Sequence, residues 1–223
     1  MCNNDVWKKI KMKRLELKNI RKSYNGRCVL DGISAVCSSS QPVCVRGVSG
    51  VGKTTLLNII MGLVNADEGE LVYNDEINKH EKCSGNKNDY RLSSVFQESA
   101  LVGHLNPVIN VSMVLKGKVD KDVIRNELSR LVDEECIDKP CTQLSGGMKR
   151  RVEIVRAMMA DSDVVVMDEP FAGLDDKTKD TVIHYIIHGR VCQPFFFKFS
   201  IKFCRKTYIL SWFWHGPLNR SPI

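Results

Sequence analysis

The residues best suited to chemistry in this sequence lie in one glycine-rich stretch, residues 47–55. The stretch fits the pattern G-x-x-x-x-G-K-[ST], whose glycines let the backbone curve closely round a phosphate with its N–H groups turned inward. A lysine there gives the outer phosphates a point charge, and the threonine hydroxyl after it is a ligand for Mg²⁺. The pattern therefore predicts a nucleotide-phosphate site formed by Gly47, Ser49, Gly50, Val51, Gly52, Lys53, Thr54 and Thr55.

Apolar segments on both sides of this stretch indicate the elements that position it. Residues 43–45 predict a buried strand, and residues 56–63 predict a buried helix whose positive N-terminal end faces the phosphates. Earlier in the chain, residues 14–19 and 29–36 predict two strands joined as a hairpin. Near its turn, Tyr24 either stacks its ring on a nucleotide base or is an ordinary strand-end tyrosine.

A second helix start lies at residues 143–148. Ser145 is a good N-cap, and Gly146 and Gly147 expose the backbone N–H groups of the first turn. The segment therefore predicts either a second anion-binding helix terminus or a plain capped helix. The basic run that follows, residues 149–151, is interpreted as a solvated face.

Two carboxylates follow the most apolar run of the chain. Residues 164–167 predict a central parallel strand, and ligands of α/β folds bind at the carboxyl ends of such strands. Asp168 can hold Mg²⁺ directly or through a water. Glu169 can orient and polarise a water for in-line attack on a γ-phosphate.

The composition argues against several other classes of protein. The net charge is +7, but six basic residues lie after Asp180, where no acidic residue occurs. The chain before that point has 27 basic and 26 acidic residues, so we expect no nucleic-acid partner. The nine cysteines form no C-x-x-C pair, which indicates reduced thiols and no zinc site. We find no signal-peptide core and no uncharged apolar stretch long enough to span a membrane.

Together these motifs resemble the ATP-binding subunit of an ABC transporter. The resemblance runs from about residue 12 to residue 187 and follows the order of motifs in that family. It consists of residues 47–54 as Walker A, Gln97 as the Q-loop, residues 144–148 as the signature, residues 164–169 as Walker B and residues 172–175 as the D-loop.

The resemblance implies an α/β fold. It has a P-loop NTPase core with a mainly parallel sheet, an N-terminal antiparallel β hairpin subdomain and an inserted helical subdomain at about residues 98–150. Residues 1–11 form a leader, residues 12–187 the ATP-binding domain, and residues 188–223 an atypical tail. The cofactors implied are ATP and Mg²⁺.

The resemblance also implies roles for single residues. Glu169 and Lys53 are catalytic. Thr54, Gln97 and Asp168 hold the metal. Tyr24 stacks on adenine. The remaining contacts to nucleotide come from Gln97, Ser145, Gly146, Gly147, Met148 and Asp175.

The partners implied are a second ATP-binding subunit in a head-to-tail homodimer, integral membrane permease subunits, and an extracellular solute-binding protein. The expected location is cytoplasmic, peripheral on the inner face of the cell membrane. Met148 stands where glutamine is usual, and this resembles importers of nitrate, sulfonates or taurine. A soluble cassette of DNA repair or translation is disfavoured, because the chain has one cassette and no long coiled-coil insert.

The tail departs from the family. No Thr-His pair follows residue 187, and nine of the 16 aromatic residues lie between Phe195 and Trp214. This shift suggests a reading-frame change or gene truncation near His188 or, alternatively, a basic aromatic segment on a membrane surface. It predicts a missing strand, an exposed core surface and slow or absent hydrolysis. The alternative function is accordingly a degenerate cassette that binds ATP without turnover.

Overall fold

Two β-sheets, six α-helices and one 3-10 helix (Cys141–Gln143) form the regular structure of the part of the chain that the structure describes. The structure is a computed structural model, and it describes residues 13–38, 43–75, 80–84, 90–188, 195–199 and 209–210. The leader at residues 1–11 and most of the predicted tail lie outside these residues. The fold class predicted from the sequence is confirmed: an antiparallel N-terminal sheet accompanies a mainly parallel sheet with helices.

The first sheet is antiparallel and has the strand order β2-β1-β4-β5. Asn25 and Gly26 connect its first two strands, both with positive φ, as the favoured two-residue hairpin turn requires. The predicted hairpin is therefore confirmed. The strands of this sheet are β1 (Lys13–Tyr24), β2 (Arg27–Ser38), β4 (Glu68–Asp75) and β5 (His80–Ser84).

The strand β5 corrects an expectation from the sequence. Polar residues and glycine in residues 80–90 predict a surface loop, but His80–Ser84 pairs with β4 in antiparallel register. An edge strand is held by backbone hydrogen bonds to its neighbour, so it can form without an apolar pattern of its own.

The second sheet has the strand order β6-β7-β8-β3-β9. Its neighbouring strands are parallel, except that β9 is antiparallel to β3. The strands are β3 (Val43–Arg46), β6 (Leu92–Val95), β7 (Val164–Met167), β8 (Phe195–Phe199) and β9 (Ile209–Leu210).

The strand β7 separates the two hydrophobic cores. Val164 and Val166 pack with the hairpin strands and the helix after β3. Val165 and Met167 pack with the helical part of the chain. Side chains alternate across a strand, so β7 is buried on both faces and its carboxyl end opens at the boundary between the cores.

The expectation of a missing strand is wrong. Phe195–Phe199 forms β8, which lies parallel between β7 and β3. Aromatic residues favour strands, so the same composition that marks the tail as unusual supplies the central strand. The parallel sheet therefore continues past residue 187.

The described residues form six α-helices. Two short helices begin at capped turns, and two longer ones carry the signature and the segment after Walker B. The six α-helices are α1 (Lys53–Ile60), α2 (Pro107–Ser112), α3 (Lys121–Ser129), α4 (Glu134–Ile137), α5 (Gly146–Met159) and α6 (Asp176–His188).

Candidate nucleotide site

The phosphate loop joins β3 to α1. The ammonium group of Lys53 turns back over it and donates to the carbonyls of Gly47 at 2.9 Å and Val48 at 2.8 Å. These bonds hold the charge above the loop, where it needs little movement to reach a bound phosphate oxygen. The loop therefore forms an anion-binding cradle, and the positive charge of Lys53 already lies beside it.

Two glycines of this loop adopt positive φ for different reasons. A Cβ on Gly52 would lie 2.9 Å from a methyl of Val29 and 3.0 Å from a methyl of Leu30, so β2 packs directly on the loop. A Cβ on Gly50 would meet nothing within 4 Å. The missing side chain of Gly52 thus lets the hairpin pack against the loop, whereas the missing side chain of Gly50 leaves open space for a ligand.

Thr54 and Asp168 meet although 114 residues separate them in the sequence. The Thr54 hydroxyl donates to the Asp168 carboxylate at 3.3 Å, and the Asp168 N–H donates to the Val95 carbonyl at 2.8 Å. A hydroxyl and a carboxylate are the hard oxygen ligands that Mg²⁺ prefers. The pair therefore fits a Mg²⁺ site, while the described residues contain no cluster of three or more His, Cys, Asp or Glu residues able to hold a metal.

Glu169 has a strained backbone. Its φ is +47°, in the left-handed region that residues with side chains rarely adopt, and Pro170 follows it. The Ala172 N–H donates to the Glu169 carbonyl at 3.1 Å and closes a turn there. Strain of this kind is concentrated at functional sites, where the surrounding structure holds a side chain in a required direction.

A cleft of about 620 Å³ collects the second group of predicted residues. Ser145 accepts from the Met148 N–H at 3.2 Å and caps α5. The Met148 side chain packs against the helical core, so its part in this cap is made by its backbone. The predicted residues lining the cleft are Gln97, Ser145, Gly146, Gly147 and Asp175.

Comparison with known proteins identifies this arrangement. The family model described as ABC transporter matches residues 30–172, which is more than half of the chain. The chain belongs to the ABC transporter family. The match runs from β2 to the first residue of the D-loop, so the predicted family is confirmed.

Curated relatives of this ABC transporter chain are importer subunits by name. The spermidine/putrescine import ATP-binding protein PotA of Mycoplasma capricolum is 36% identical over 179 residues, which are 75% of this chain and 48% of that protein. The phosphonates import ATP-binding protein PhnC of Treponema denticola is 36% identical over 189 residues, which are 77% and 73% of the two chains. The chain spans about half the length of the first of these relatives.

Solved structures support the cassette fold. A dimeric ATP-binding cassette in a post-hydrolysis state, bound to ADP and phosphate, matches with a TM-score of 0.67 and 23% identity, over 84% of this chain and 87% of that one. A putative ABC transporter ATP-binding protein from Pyrococcus furiosus matches with a TM-score of 0.71 and 23% identity, over 86% and 93%. Within the described residues of the cassette, no helix has the length and apolar character needed to cross a membrane.

The basic run at residues 149–151 of the cassette is not the solvated face predicted from the sequence. Arg150 is buried, and Arg151 is partly buried and donates to the Leu131 carbonyl at 2.6 Å. Arg150 pairs at 3.1 Å with Glu153, which is also buried. Sequence reasoning missed this pair; the available signal is an acid three residues after an arginine, on a helix with many buried positions.

The D-loop carboxylate caps the next helix. Asp175 accepts from the backbone N–H of Thr178 at 2.9 Å and from its hydroxyl at 2.6 Å. These bonds hold the pKa of Asp175 below its usual value. The D-loop is thereby held at the start of α6, beside Gly147, whose Cβ would lie 3.3 Å from a methyl of Leu174.

Tyr24 lies exposed at the end of β1, beside a charged pair. The Lys22 ammonium lies 5.4 Å from the centre of its ring and donates at 2.6 Å to Asp67, which also accepts from the Ser23 N–H at 2.6 Å. This network ties the end of the hairpin to the turn before β4. It holds the tyrosine ring at a defined position while leaving it accessible.

Replacing Asp67 with asparagine is expected to lower the Tm at pH 7. The bonds from Lys22 and Ser23 hold the pKa of Asp67 below its ordinary value of 3.8, so the folded state favours the carboxylate. Its contribution is complete above that ordinary value and is lost as the pH falls through the lower folded pKa. Thermal melts of both proteins across this range should therefore show a Tm difference that shrinks in acid.

The control for this prediction is Asp31→Asn, which removes a carboxylate of the same hairpin without touching Lys22 or Ser23. It should lower the Tm at pH 7 by less than Asp67→Asn does. A Tm difference for Asp67→Asn that is equal at all pH values would contradict the assignment.

Proposed function

We propose that this cassette binds ATP with Mg²⁺ and hydrolyses it. The observation that carries the proposal is the contact between Thr54 and Asp168, which joins the phosphate loop to the carboxyl end of β7. When bound, Mg²⁺ would neutralise phosphate charge, held by these two residues and, as the resemblance implies, by Gln97. Lys53 binds the outer phosphates, and Glu169 positions and polarises the attacking water. Tyr24 supplies a stacking surface for adenine.

We further propose that two copies pair head to tail. The helix tip of Ser145–Gly147 opens to space, because a Cβ on Gly146 would meet nothing within 4 Å. The tip lies on the cleft with Gln97 and Asp175, and it can donate backbone N–H groups to the phosphate of a second copy. A nucleotide would then lie between the loop of one chain and the tip of the other.

The family and one exposed surface support the proposal of further partners, a membrane permease and a solute-binding protein. Large apolar side chains are exposed along α2, α3 and their connection, and such surfaces mark protein contacts. We propose that this surface meets a membrane permease at the inner face of the membrane, in an importer served by a solute-binding protein. Met148 supports the nitrate, sulfonate or taurine type among importers. The exposed residues are Ile109, Met113, Val114, Val119 and Val123.

The test of this function is phosphate release from ATP by the purified full chain with Mg²⁺. We expect turnover that is lost when Mg²⁺ is chelated. Tight ATP binding without phosphate release would instead establish the degenerate cassette, an alternative that neither the strand β8 nor the relatives favour. Association with DNA or ribosomes and no ATP-driven change in a permease would contradict the transport role.

Replacing Lys53 with alanine is expected to weaken ATP binding by about 10- to 100-fold, the scale of a hydrogen bond to a charged group. The change removes the ammonium above the loop and leaves the loop glycines in place. Calorimetric titration with ATP measures it. The control is Lys139→Ala, an exposed lysine after α4, which should bind ATP as the unchanged chain does. Equal affinity of the Lys53 and Lys139 variants would contradict the assignment.

A further inference from the structure

The segment that leaves the sheet after β6 is held by α5. Arg150 donates one guanidinium N–H to the Phe96 carbonyl and another to the Gln97 carbonyl at 2.6 Å. A planar guanidinium can bridge two neighbouring carbonyls in this way, which a lysine ammonium cannot do with the same geometry. Arg150 therefore sets the path of the backbone at Gln97.

Two further side chains of α5 hold the same segment. Glu153 accepts from the Ala100 N–H at 2.9 Å, and Arg156 donates to the Ala100 carbonyl at 2.9 Å. Side chains of one helix thus bind four backbone polar groups of residues 96–100. A loop held this way follows any displacement of the helix.

Arg150 and Glu153 are themselves a buried ion pair. Their side chains are 8% and 2% exposed, and the atoms that join them are 3.1 Å apart. A buried pair gains little stability over apolar residues of the same size, because both charges lose their hydration. Stability alone is thus a weak explanation for the burial of this ion pair. Its bonds to the segment around Gln97 supply another explanation.

The helix that holds this segment is also the helix that begins at the signature. Its N-terminal tip, Ser145–Gly147, shares the cleft with Gln97. A displacement of Gln97 toward a nucleotide in its own chain would therefore move the tip that faces a nucleotide in the other chain. The ion pair lies between these two contacts.

We propose that Arg150 and Glu153 are positioning residues that link Gln97 to the signature tip, so that nucleotide contact at the first prepares the second for pairing. The inference rests on the proposed function, which gives Gln97 the nucleotide of its own chain and the tip that of a partner chain. A purely structural role for the pair would affect Tm, whereas this role affects ATP-driven pairing at unchanged ATP affinity.

The decisive variant is the double replacement Arg150→Met and Glu153→Leu. Exchanging a buried pair for apolar side chains of similar volume often keeps the fold, but it removes three of the four contacts that hold residues 96–100 and leaves only the bond from Arg156 to the Ala100 carbonyl. The matched control is Arg125→Gln with Asp138→Asn, which removes an exposed ion pair of the helical segment. If the double variant fails to fold, Arg150→Lys takes its place, because it keeps the charge facing Glu153 but not the bridge to two carbonyls.

Three measurements on the full chain test the link. Amide exchange at Ala100 without nucleotide should be faster in the double variant than in the unchanged chain, because its acceptor Glu153 is gone. In Arg150→Lys, which keeps Glu153, faster exchange is expected instead at Gln97 and Glu98, whose amides adjoin the two carbonyls that lose the Arg150 bridge. Titration with the non-hydrolysable analogue AMP-PNP, at protein concentrations too low for pairing, should give equal affinities, because pairing itself raises the affinity for nucleotide. Sedimentation with Mg²⁺ and AMP-PNP should show pairing weakened by about 10-fold, within the usual range of coupling between two sites. The control should match the unchanged chain in all three.

The outcomes separate this inference from the proposed activity. Pairing within twofold of the unchanged chain, despite faster exchange at Ala100, overturns the link. An unchanged chain that does not pair, or that binds no nucleotide, overturns it as well. An unchanged chain that pairs through the link but releases no phosphate leaves the inference standing and refutes the proposed hydrolysis.

Discussion

Replacing Glu169 with glutamine is expected to lower kcat for ATP hydrolysis by about 10²- to 10⁴-fold, the range for loss of a positioned general base. Glutamine keeps the size of the side chain and the strained turn before Pro170, but it cannot polarise the attacking water. ATP binding by Lys53 and by the loop amides should be unchanged. Single-turnover phosphate release, with ATP affinity measured separately, checks both halves of this prediction.

The control for the Glu169 variant is Glu135→Gln, an exposed carboxylate of α4 with the same chemical change. It should keep the kcat of the unchanged chain. If the Glu169 variant retained more than about a third of that kcat, far above the range for a lost general base, another residue would have to activate the water.

Replacing Gly146 with valine is expected to abolish ATP-driven pairing and to lower turnover by about 10²-fold, the scale for loss of one preorganised donor at a developing charge. In the single chain a side chain at this position has open space, so the Tm and the ATP affinity should not change. The proposed partner phosphate would occupy that space. Sedimentation with ATP and Mg²⁺, together with phosphate release, measures the effect.

Its neighbour provides a contrast within the same motif. A Cβ on Gly147 would lie 3.3 Å from a Leu174 methyl and 3.4 Å from the Gly173 carbonyl. Valine at Gly147 should therefore lower the Tm of the single chain, which valine at Gly146 should not. Normal pairing of the Gly146 variant would show that the tip does not meet a second nucleotide.

Local patterns were sufficient for the parts of the site made by consecutive backbone groups. A phosphate cradle needs glycines, a lysine and a hydroxyl at set spacing, and residues 47–55 contain all of them. The hairpin follows from alternating side chains around Asn25 and Gly26. The buried strand β7 follows from a continuous apolar run. Each is decided by neighbours a few residues away, so the sequence alone reveals it.

Contacts between segments that are distant in the chain could not be predicted from local sequence patterns. Arg150 looked solvated because its partners at Phe96 and Gln97 lie 54 and 53 residues away, and a charged side chain is buried only where such partners meet it. The strand β8 was overlooked because its place depends on the edges of β7 and β3. The amino-acid sequence by itself predicted a nucleotide site and determined the family. The tertiary structure decided which strand closes the sheet and which helix holds Gln97, because hydrogen bonds between distant segments form only in the folded chain.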